Sequence, residues 1–191
     1  MANKLLKKLL TQEEVSLFAE KHKDQQVVFT NGCFDILHVG HVDYLQKATQ
    51  LGDLLVVGLH SDSSVRRLKG SSRPINNQDD RAKMLCSLSF VDYVAIFDED
   101  TPLNLIETIK PDVLVKGGDY KPEEVVGREE VEANGGKLEL IPFVDGKSTT
   151  NTVEALMERR EELRNELIRE RISDSITVKK RTDKTYILTY L

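Results

Sequence analysis

The chain has 191 residues, a formal net charge of −5, 39 % hydrophobic and 31 % charged residues. That length fits one compact domain plus an appendage, and the mild acidity argues against a general nucleic-acid binder, which normally carries a basic surplus. Two cysteines, Cys33 and Cys86, exclude a small disulfide-held scaffold and read as reduced thiols of a cytoplasmic protein.

The longest apolar runs, such as Leu54–Leu59, fall far short of the ~20 residues that cross a bilayer. The basic and apolar start of the chain lacks the long core and small-residue cleavage site of a secretory signal. Thr11 to Lys23 is expected to be helical, with Thr11 and Glu14 spaced as a capping box. Gln26–Thr30 reads as a buried strand ending at Asn31-Gly32, and Val39–Leu51 as a helix stopped by Gly52. Asp53–His60 is continuous in apolar residues, as a strand buried on both faces should be. A short helix from Ser61 to Leu68 stops at Gly70, and Asn77 caps a helix from Gln78 to about Ser89.

Tyr93–Phe97 is the third strand, and Thr101-Pro102 predicts a cap with proline at the first helical position of a helix to Lys110. Val113–Lys116 is the fourth strand, Arg128–Ala133 a charged helix, Lys137–Phe143 the fifth strand, and Asn151 with Glu154 opens the last helix. Strands alternating with helices predict an α/β fold, a five-stranded parallel sheet with helices on both faces. Residues 1–156 form this domain. Residues 157–191 form an appendage: a Glu/Arg-dense helix with an apolar stripe at Leu156, Leu163, Leu167, Ile168 and Ile172, then two short strands. The stripe asks for a partner, and a homodimer is expected.

Ligands of such sheets bind beyond the carboxyl ends of the strands, and four motifs fall there. The first is Thr30-Asn-Gly-Cys-Phe-Asp35-Ile-Leu-His38-Val-Gly40-His41. Two histidines three residues apart lie on one side of a helix start, where unpaired N–H groups and the dipole attract anions. Gly40 removes a side chain where a phosphate approaches. The pair suits charge stabilisation at a reacting phosphorus, while no third or fourth ligand makes it a metal site. The alternative is two structural histidines with Asp35 holding the turn. Neither the dinucleotide fingerprint nor a Walker A sequence is present.

The second motif is Arg66-Arg67-Leu-Lys69-Gly70 with Arg73 and Arg81; Lys69 and Arg73 are expected to face the site, and a solvated basic surface is the alternative for Arg66 and Arg67. The third is Lys116-Gly117-Gly-Asp119-Tyr120, where paired glycines would admit a planar base and Asp119 would meet a ribose hydroxyl or a base amine, an ordinary strand-to-helix turn being the alternative. The fourth, Ser148-Thr149-Thr150-Asn151, offers hydroxyls at a helix start for capping or for phosphate.

The string from Gly32 to His41 resembles the HxGH signature of the nucleotidyltransferase superfamily, and Ser148-Thr-Thr resembles that superfamily's second signature. More narrowly, Phe29–Asp35, Leu68–Pro74, Val115–Glu124 and Ser148–Asn151 look like the heptose 1-phosphate adenylyltransferase domain of the ADP-heptose synthases. The likeness covers about Thr11 to Leu156. It implies a Rossmann-like fold and the transfer of AMP from ATP to D-glycero-β-D-manno-heptose 1-phosphate, giving ADP-heptose, a lipopolysaccharide-core precursor, and pyrophosphate. It implies His38, His41 and Lys69 as catalytic residues. Thr30, Asn31, Gly32, Cys33, Phe34, Asp35, Gly40, Lys116, Gly117, Asp119, Ser148, Thr149 and Thr150 would hold the nucleotide, and Arg73 and Arg81 a phosphate or the sugar. Mg²⁺ would bind through the ATP phosphates.

No nucleic acid or membrane partner is implied. The length leaves no room for the sugar kinase to which this domain is fused in many bacteria, so a stand-alone transferase is expected. The superfamily often has threonine where Cys33 stands, and arginine soon after the second signature, where Val153-Glu154 follow Asn151; Arg73 or Lys147 would supply that charge. The alternative within this chemistry is a cytidylyltransferase acting on glycerol 3-phosphate.

Overall fold

A computed structural model of the chain describes residues 6–118, 120–142, 149–180 and 186–190. The chain divides into two compact units, Met1–Thr149 and Thr150–Leu191. In the first unit the order is α1 (Gln12–Ser16), α2 (Phe18–Lys21), β1 (Val27–Gly32), α3 (Val39–Ala48), β2 (Leu54–His60), α4 (Asp62–Lys69), α5 (Gln78–Ser87), β3 (Tyr93–Phe97), α6 (Leu103–Ile109), β4 (Val113–Gly117), α7 (Arg128–Ala133) and β5 (Lys137–Ile141). The five strands are parallel in the order β3-β2-β1-β4-β5. This is a Rossmann-like α/β fold.

Strand alternation sends neighbouring residues to opposite faces, and two apolar cores result. On one face Val28, Leu55, Val57 and Val94 pack with Leu45 and Ala48 of α3 and Ala82, Leu85 and Cys86 of α5. On the other, Phe29, Val56 and Leu114 pack with Phe18 of α2, Leu105, Ile106 and Ile109 of α6 and Val131 of α7. Each such side chain, fully buried, contributes ~1.5–3 kcal/mol.

The sheet's amino edge is pinned by one device used three times. Asp53, Asp92 and Asp112 each immediately precede a strand, and each carboxylate accepts from a backbone N–H at or just before an adjacent strand: Gln26 N at 2.8 Å, Leu55 N at 2.8 Å and Val27 N at 2.7 Å. Such charge-assisted bonds are about twice as strong as neutral ones and fix register where the strands begin.

Local signals decide most helix ends. Thr11 caps α1 with the reciprocal Glu14 bond, Ser61 accepts from Ser64 N to open α4, and Asn77 accepts from Asp80 N to open α5. Gly70, at φ 91°, ends α4 in a conformation that side chains resist. Three expectations shift. The first helix is interrupted at Leu17, just after Ser16 Oγ back-bonds to the Gln12 carbonyl at 2.9 Å, a contact that bends helices. Thr101 does not cap α6, because Pro102 itself stands at the cap and its carbonyl accepts from Ile106 N. The last helix opens at Thr149, ahead of Asn151.

The second unit consists of α8 (Thr149–Ser175) followed by an antiparallel pair, β6 (Ile176–Lys180) and β7 (Tyr186–Tyr190), joined in register from Ile176↔Tyr190. The division between the units falls at the start of α8. Leu156, Leu163, Leu167 and Ile168 lie exposed along it.

Gly52 tests the packing at the sheet's amino edge. Its backbone is extended, at φ −172°, so alanine meets no conformational penalty there. A Cβ would stand 2.6 Å from the Gln26 carbonyl oxygen and 2.7 Å from Val28 Cγ2. Gly52→Ala is expected to lower stability by roughly 1–3 kcal/mol, seen as a lower urea midpoint at unchanged slope.

Candidate active site

Beyond the carboxyl ends of β1, β2 and β4 lies a cleft of about 320 Å³, within the usual range of roughly 300–1,000 Å³ for small-molecule sites. The end of β1 and its following turn supply Asn31, Gly32, Cys33, Phe34 and Asp35, and β2 supplies His60. Lys116 and Gly117 come from β4, His41 and Tyr44 from α3, and Lys69 from the last turn of α4, with Arg73 and Tyr120 completing the walls. A hollow of about 750 Å³ beside Ser61, Arg67 and Asp98 is wider. Its charges are already spent: Asp98 accepts from Ser61 and Ser63, and Arg67 donates to Asp100 at 2.7 Å and to the Asp98 carbonyl.

His38 stands at the N-cap of α3 and His41 in its first turn, the His38 carbonyl accepting from His41 N at 2.9 Å. Their rings stack with centroids 3.8 Å apart. Phe34 holds a left-handed backbone, φ 44°, which is rare for a bulky residue, and its ring meets His41 edge-on at 5.1 Å. Burial, then the neighbouring His38 and Lys69, push the His41 pKa down to about 4. At neutral pH the ring is uncharged. Its Nδ1 is buried without a hydrogen-bond partner among the described residues.

Asp35 binds the turn to the loop before α5. Its carboxylate is buried and accepts from Arg73 Nε at 2.5 Å, Ile75 N at 2.7 Å and Asn76 N at 3.0 Å. Burial opposes its charge, but the Asn76, Arg73 and Ile75 bonds outweigh it and hold the pKa below the ordinary value. Both carboxylate oxygens are engaged within the protein, and Arg73 enters the cleft already paired.

On the opposite wall, Lys116 Nζ donates to Asn31 Oδ1 and stands 5.8 Å from the Tyr120 ring centroid. Asn31 Nδ2 lies 3.4 Å from His60 Nε2, and His60 Nδ1 lies 2.9 Å from Ser64 Oγ. Burial pushes the Lys116 pKa down to about 8. Burial, then Lys116, Arg81 and Lys69, push that of His60 down to about 4.

The structure therefore brings together at one cleft His41, Lys69, Asn31, Gly32, Cys33, Phe34, Asp35, Arg73, Lys116 and Gly117. His38 meets it through its stack on His41. Thr30 does not line it: the side chain is fully buried and its Oγ1 shares a 2.7 Å hydrogen bond with Tyr44 OH. Gly40 is buried in the first turn of α3. Arg81 is a correction. Its side chain is 1 % exposed, and it donates to Asp62 at 2.8 Å, the Asn76 carbonyl at 3.0 Å and the Cys33 carbonyl at 2.5 Å, leaving a strut where a phosphate ligand was expected. Gly118 serves packing as well as access, since a Cβ would stand 3.0 Å from Pro142 Cα. Asp119 and Ser148 lie outside the described residues, as do the side chains of Thr149 and Thr150. Tyr44 was not anticipated from sequence, Tyr120 entered only as the end of the third motif, and His60 was given no role; the signal for His60 was a polar residue closing an otherwise apolar strand beside the Asn31 turn.

Two outcomes follow from this geometry. Arg81→Leu is expected to destabilise the fold by roughly 3–5 kcal/mol, because Asp62 and two carbonyls lose their donor, measured by urea unfolding. His60 is charged in the unfolded chain below about pH 6.5 but in the folded protein only below about 4. The unfolded state thus binds more protons across that window, and stability falls as pH drops through it. The loss attributable to His60 reaches roughly 3 kcal/mol. His41 acts in the same direction. His60→Gln should flatten the acid limb of a stability–pH curve.

The chain is 62 % identical over 146 residues to "Bifunctional protein HldE" of Syntrophotalea carbinolica, covering 76 % of this chain and 30 % of that protein. It is 66 % identical over 138 residues to the protein of the same name from Geotalea uraniireducens, covering 72 % and 28 %. The chain thus spans about three tenths of the length of these curated relatives. Among solved structures, a lipopolysaccharide core biosynthesis protein from Thermoplasma volcanium aligns with TM-score 0.54 at 28 % identity, covering 64 % of this chain and 99 % of that one. The family described as cytidylyltransferase-like matches residues 29–171, which begin in β1 and run through every wall of the cleft, and the chain belongs to that family.

Proposed function

We propose that this chain transfers AMP from ATP to D-glycero-β-D-manno-heptose 1-phosphate. A phosphate oxygen of the sugar attacks the α-phosphorus, the bond from that phosphorus to the β-phosphate bridging oxygen breaks, and pyrophosphate leaves. The attacking phosphate is already anionic at neutral pH, so no general base is needed, and catalysis is positioning plus charge stabilisation. The observation that carries this reading is the gathering of His41, Lys69 and Lys116 around one cleft at the start of α3. The identity of 62–66 % to relatives named as bifunctional HldE proteins supports the choice of substrate.

In this reading the uncharged His41, backed by His38, donates hydrogen bonds to the triphosphate and to the charge that develops at phosphorus. Lys69 and Lys116 supply positive charge. A magnesium ion would be held by phosphate oxygens and water, its usual mode with nucleotides. The described residues contain no helix long and apolar enough to cross a membrane. A cytoplasmic location, in keeping with the free thiols Cys33 and Cys86, and a homodimer drawing on the exposed apolar stripe of α8 belong to the same proposal.

The test is pyrophosphate release with ATP and with CTP, each offered heptose 1-phosphate and glycerol 3-phosphate. Turnover with ATP and the heptose phosphate is expected; turnover confined to CTP and glycerol 3-phosphate overturns the assignment. In the productive pair, His41→Ala should lower kcat about 100-fold, the typical effect of losing one preorganised donor, with the urea midpoint showing that the variant remains folded.

A further inference from the structure

We infer that His60 is a positioning residue which, acting through Asn31, fixes the ammonium group of Lys116 in the cleft so that it meets a substrate phosphate in one geometry. The inference rests on the proposed function only for the presence of a phosphate-bearing substrate.

The hydrogen-bond chain on this wall has a determined direction. Ser64 Oγ donates its one proton to the Glu99 carbonyl at 2.9 Å. Towards His60 Nδ1, 2.9 Å away, the same oxygen can only accept. His60 therefore carries its proton on Nδ1 and presents the Nε2 lone pair to Asn31. The Asn31 amide must then turn its NH₂ towards His60, at 3.4 Å, and its oxygen towards Lys116, which donates to it. Every proton from Lys116 to Glu99 points the same way.

The opposite tautomer would break this order. An Nε2–H on His60 would face the Asn31 NH₂, donor against donor. The amide would flip and turn that NH₂ towards an ammonium group that has no acceptor capacity. The ring has little room to escape the choice: it is buried at 6 % exposure, and the Phe97 ring centroid lies 4.3 Å from its own. Burial, together with Lys116, Arg81 and Lys69, keeps it uncharged at neutral pH, with a pKa near 4.

Two consequences concern function. The Asn31 side chain has an amide hydrogen and its oxygen committed within the protein, so it acts as a bracket between two residues. Lys116, half-buried and lining the cleft, has further N–H groups to offer beyond the one given to Asn31. A lysine held from below in this way gives up less side-chain freedom when it binds an anion. Because the phosphate is already charged in the bound substrate, displacement of the ammonium group should appear in KM more than in kcat.

The experiment has a spectroscopic arm and a kinetic arm, both on the full chain. Long-range ¹H–¹⁵N correlation spectra of the ¹⁵N-labelled protein at neutral pH should give His60 the signature of an uncharged Nδ1–H ring; an Nε2–H or charged ring overturns the inference. Kinetically, His60→Leu should raise about tenfold the KM of whichever substrate's phosphate Lys116 meets, with kcat within about threefold. Separate KM values for ATP and for the sugar phosphate identify which one. His60→Gln, whose amide can accept from Asn31 and donate to Ser64, should bring that KM back to within about threefold of the parent.

Combining His60→Leu with Asn31→Leu should cost no more than either alone, since the residues act in series. If folded His60→Leu leaves both KM values unmoved, or the two substitutions add, the inference fails. If the parent protein turns over no phosphorylated acceptor, the functional reading fails, while the ring spectrum still decides the His60 tautomer and with it the relay.

Discussion

The position of β1 at the centre of a wholly parallel sheet governs the rest of this molecule. From β1 the chain builds outward to β2 and β3 on one side, then returns to place β4 and β5 on the other. The connections leaving β1 and β4 diverge, and a crevice opens between them, as at the switch point of any such sheet. The two edges are then treated differently. The amino edge is closed by Asp53, Asp92 and Asp112, whose carboxylates tie neighbouring strands together. At the carboxyl edge, among the described residues lining the cleft, Asp35 is the acidic one, and it is consumed by the loop it holds. Anionic side chains thus serve structure at one end, and cations gather at the other.

Within the cleft the imidazoles and the lysines divide the work. Stacked histidines 3.8 Å apart next to Lys69 would repel one another if charged. Burial removes that conflict by keeping His41 neutral, and the same holds for His60 beside Lys116. In the proposed reading, directional hydrogen bonding comes from uncharged rings at the helix start, and Coulomb attraction comes from ammonium groups. An uncharged donor of fixed orientation needs no reorganisation when charge develops on a bound phosphate, the condition under which preorganised dipoles are most effective.

The sheet, its five strands and most helix caps were legible in the residues, because periodicity and capping are local. So was the histidine pair, since both of its members and the helix start that carries them lie within a few positions. The misses share a physical cause. Thr30 looked like a ligand because it adjoins the motif, but alternation along β1 turns it into the core, where Tyr44 receives it. Arg81 looked like an anion ligand because it is basic. Yet it shares the face of α5 that buries Ala82, Leu85 and Cys86, and a buried guanidinium needs fixed acceptors, which Asp62 and two carbonyls provide. His60 depends on Asn31, Ser64 and, through Ser64, Glu99, which only the folded sheet brings together.

The cations of this site sort by chemistry and not by proximity. A guanidinium carries five donors in a rigid plane and satisfies several fixed acceptors at once, whereas an ammonium is a compact charge on a flexible stem. Arg81 accordingly joins α5 to the Cys33 carbonyl, the Asn76 carbonyl and Asp62, and Arg73 joins the following loop to Asp35. Together they fasten the β1–α3 turn to the segment between α4 and α5, so the wall that presents His41 is braced from behind. Among the described residues, Lys69 and Lys116 form no ion pair with a carboxylate, and in the proposed reading it is they that meet the anion. Arginines build the wall and lysines line the cleft, so basic residues clustered in sequence lie at different depths of the same site.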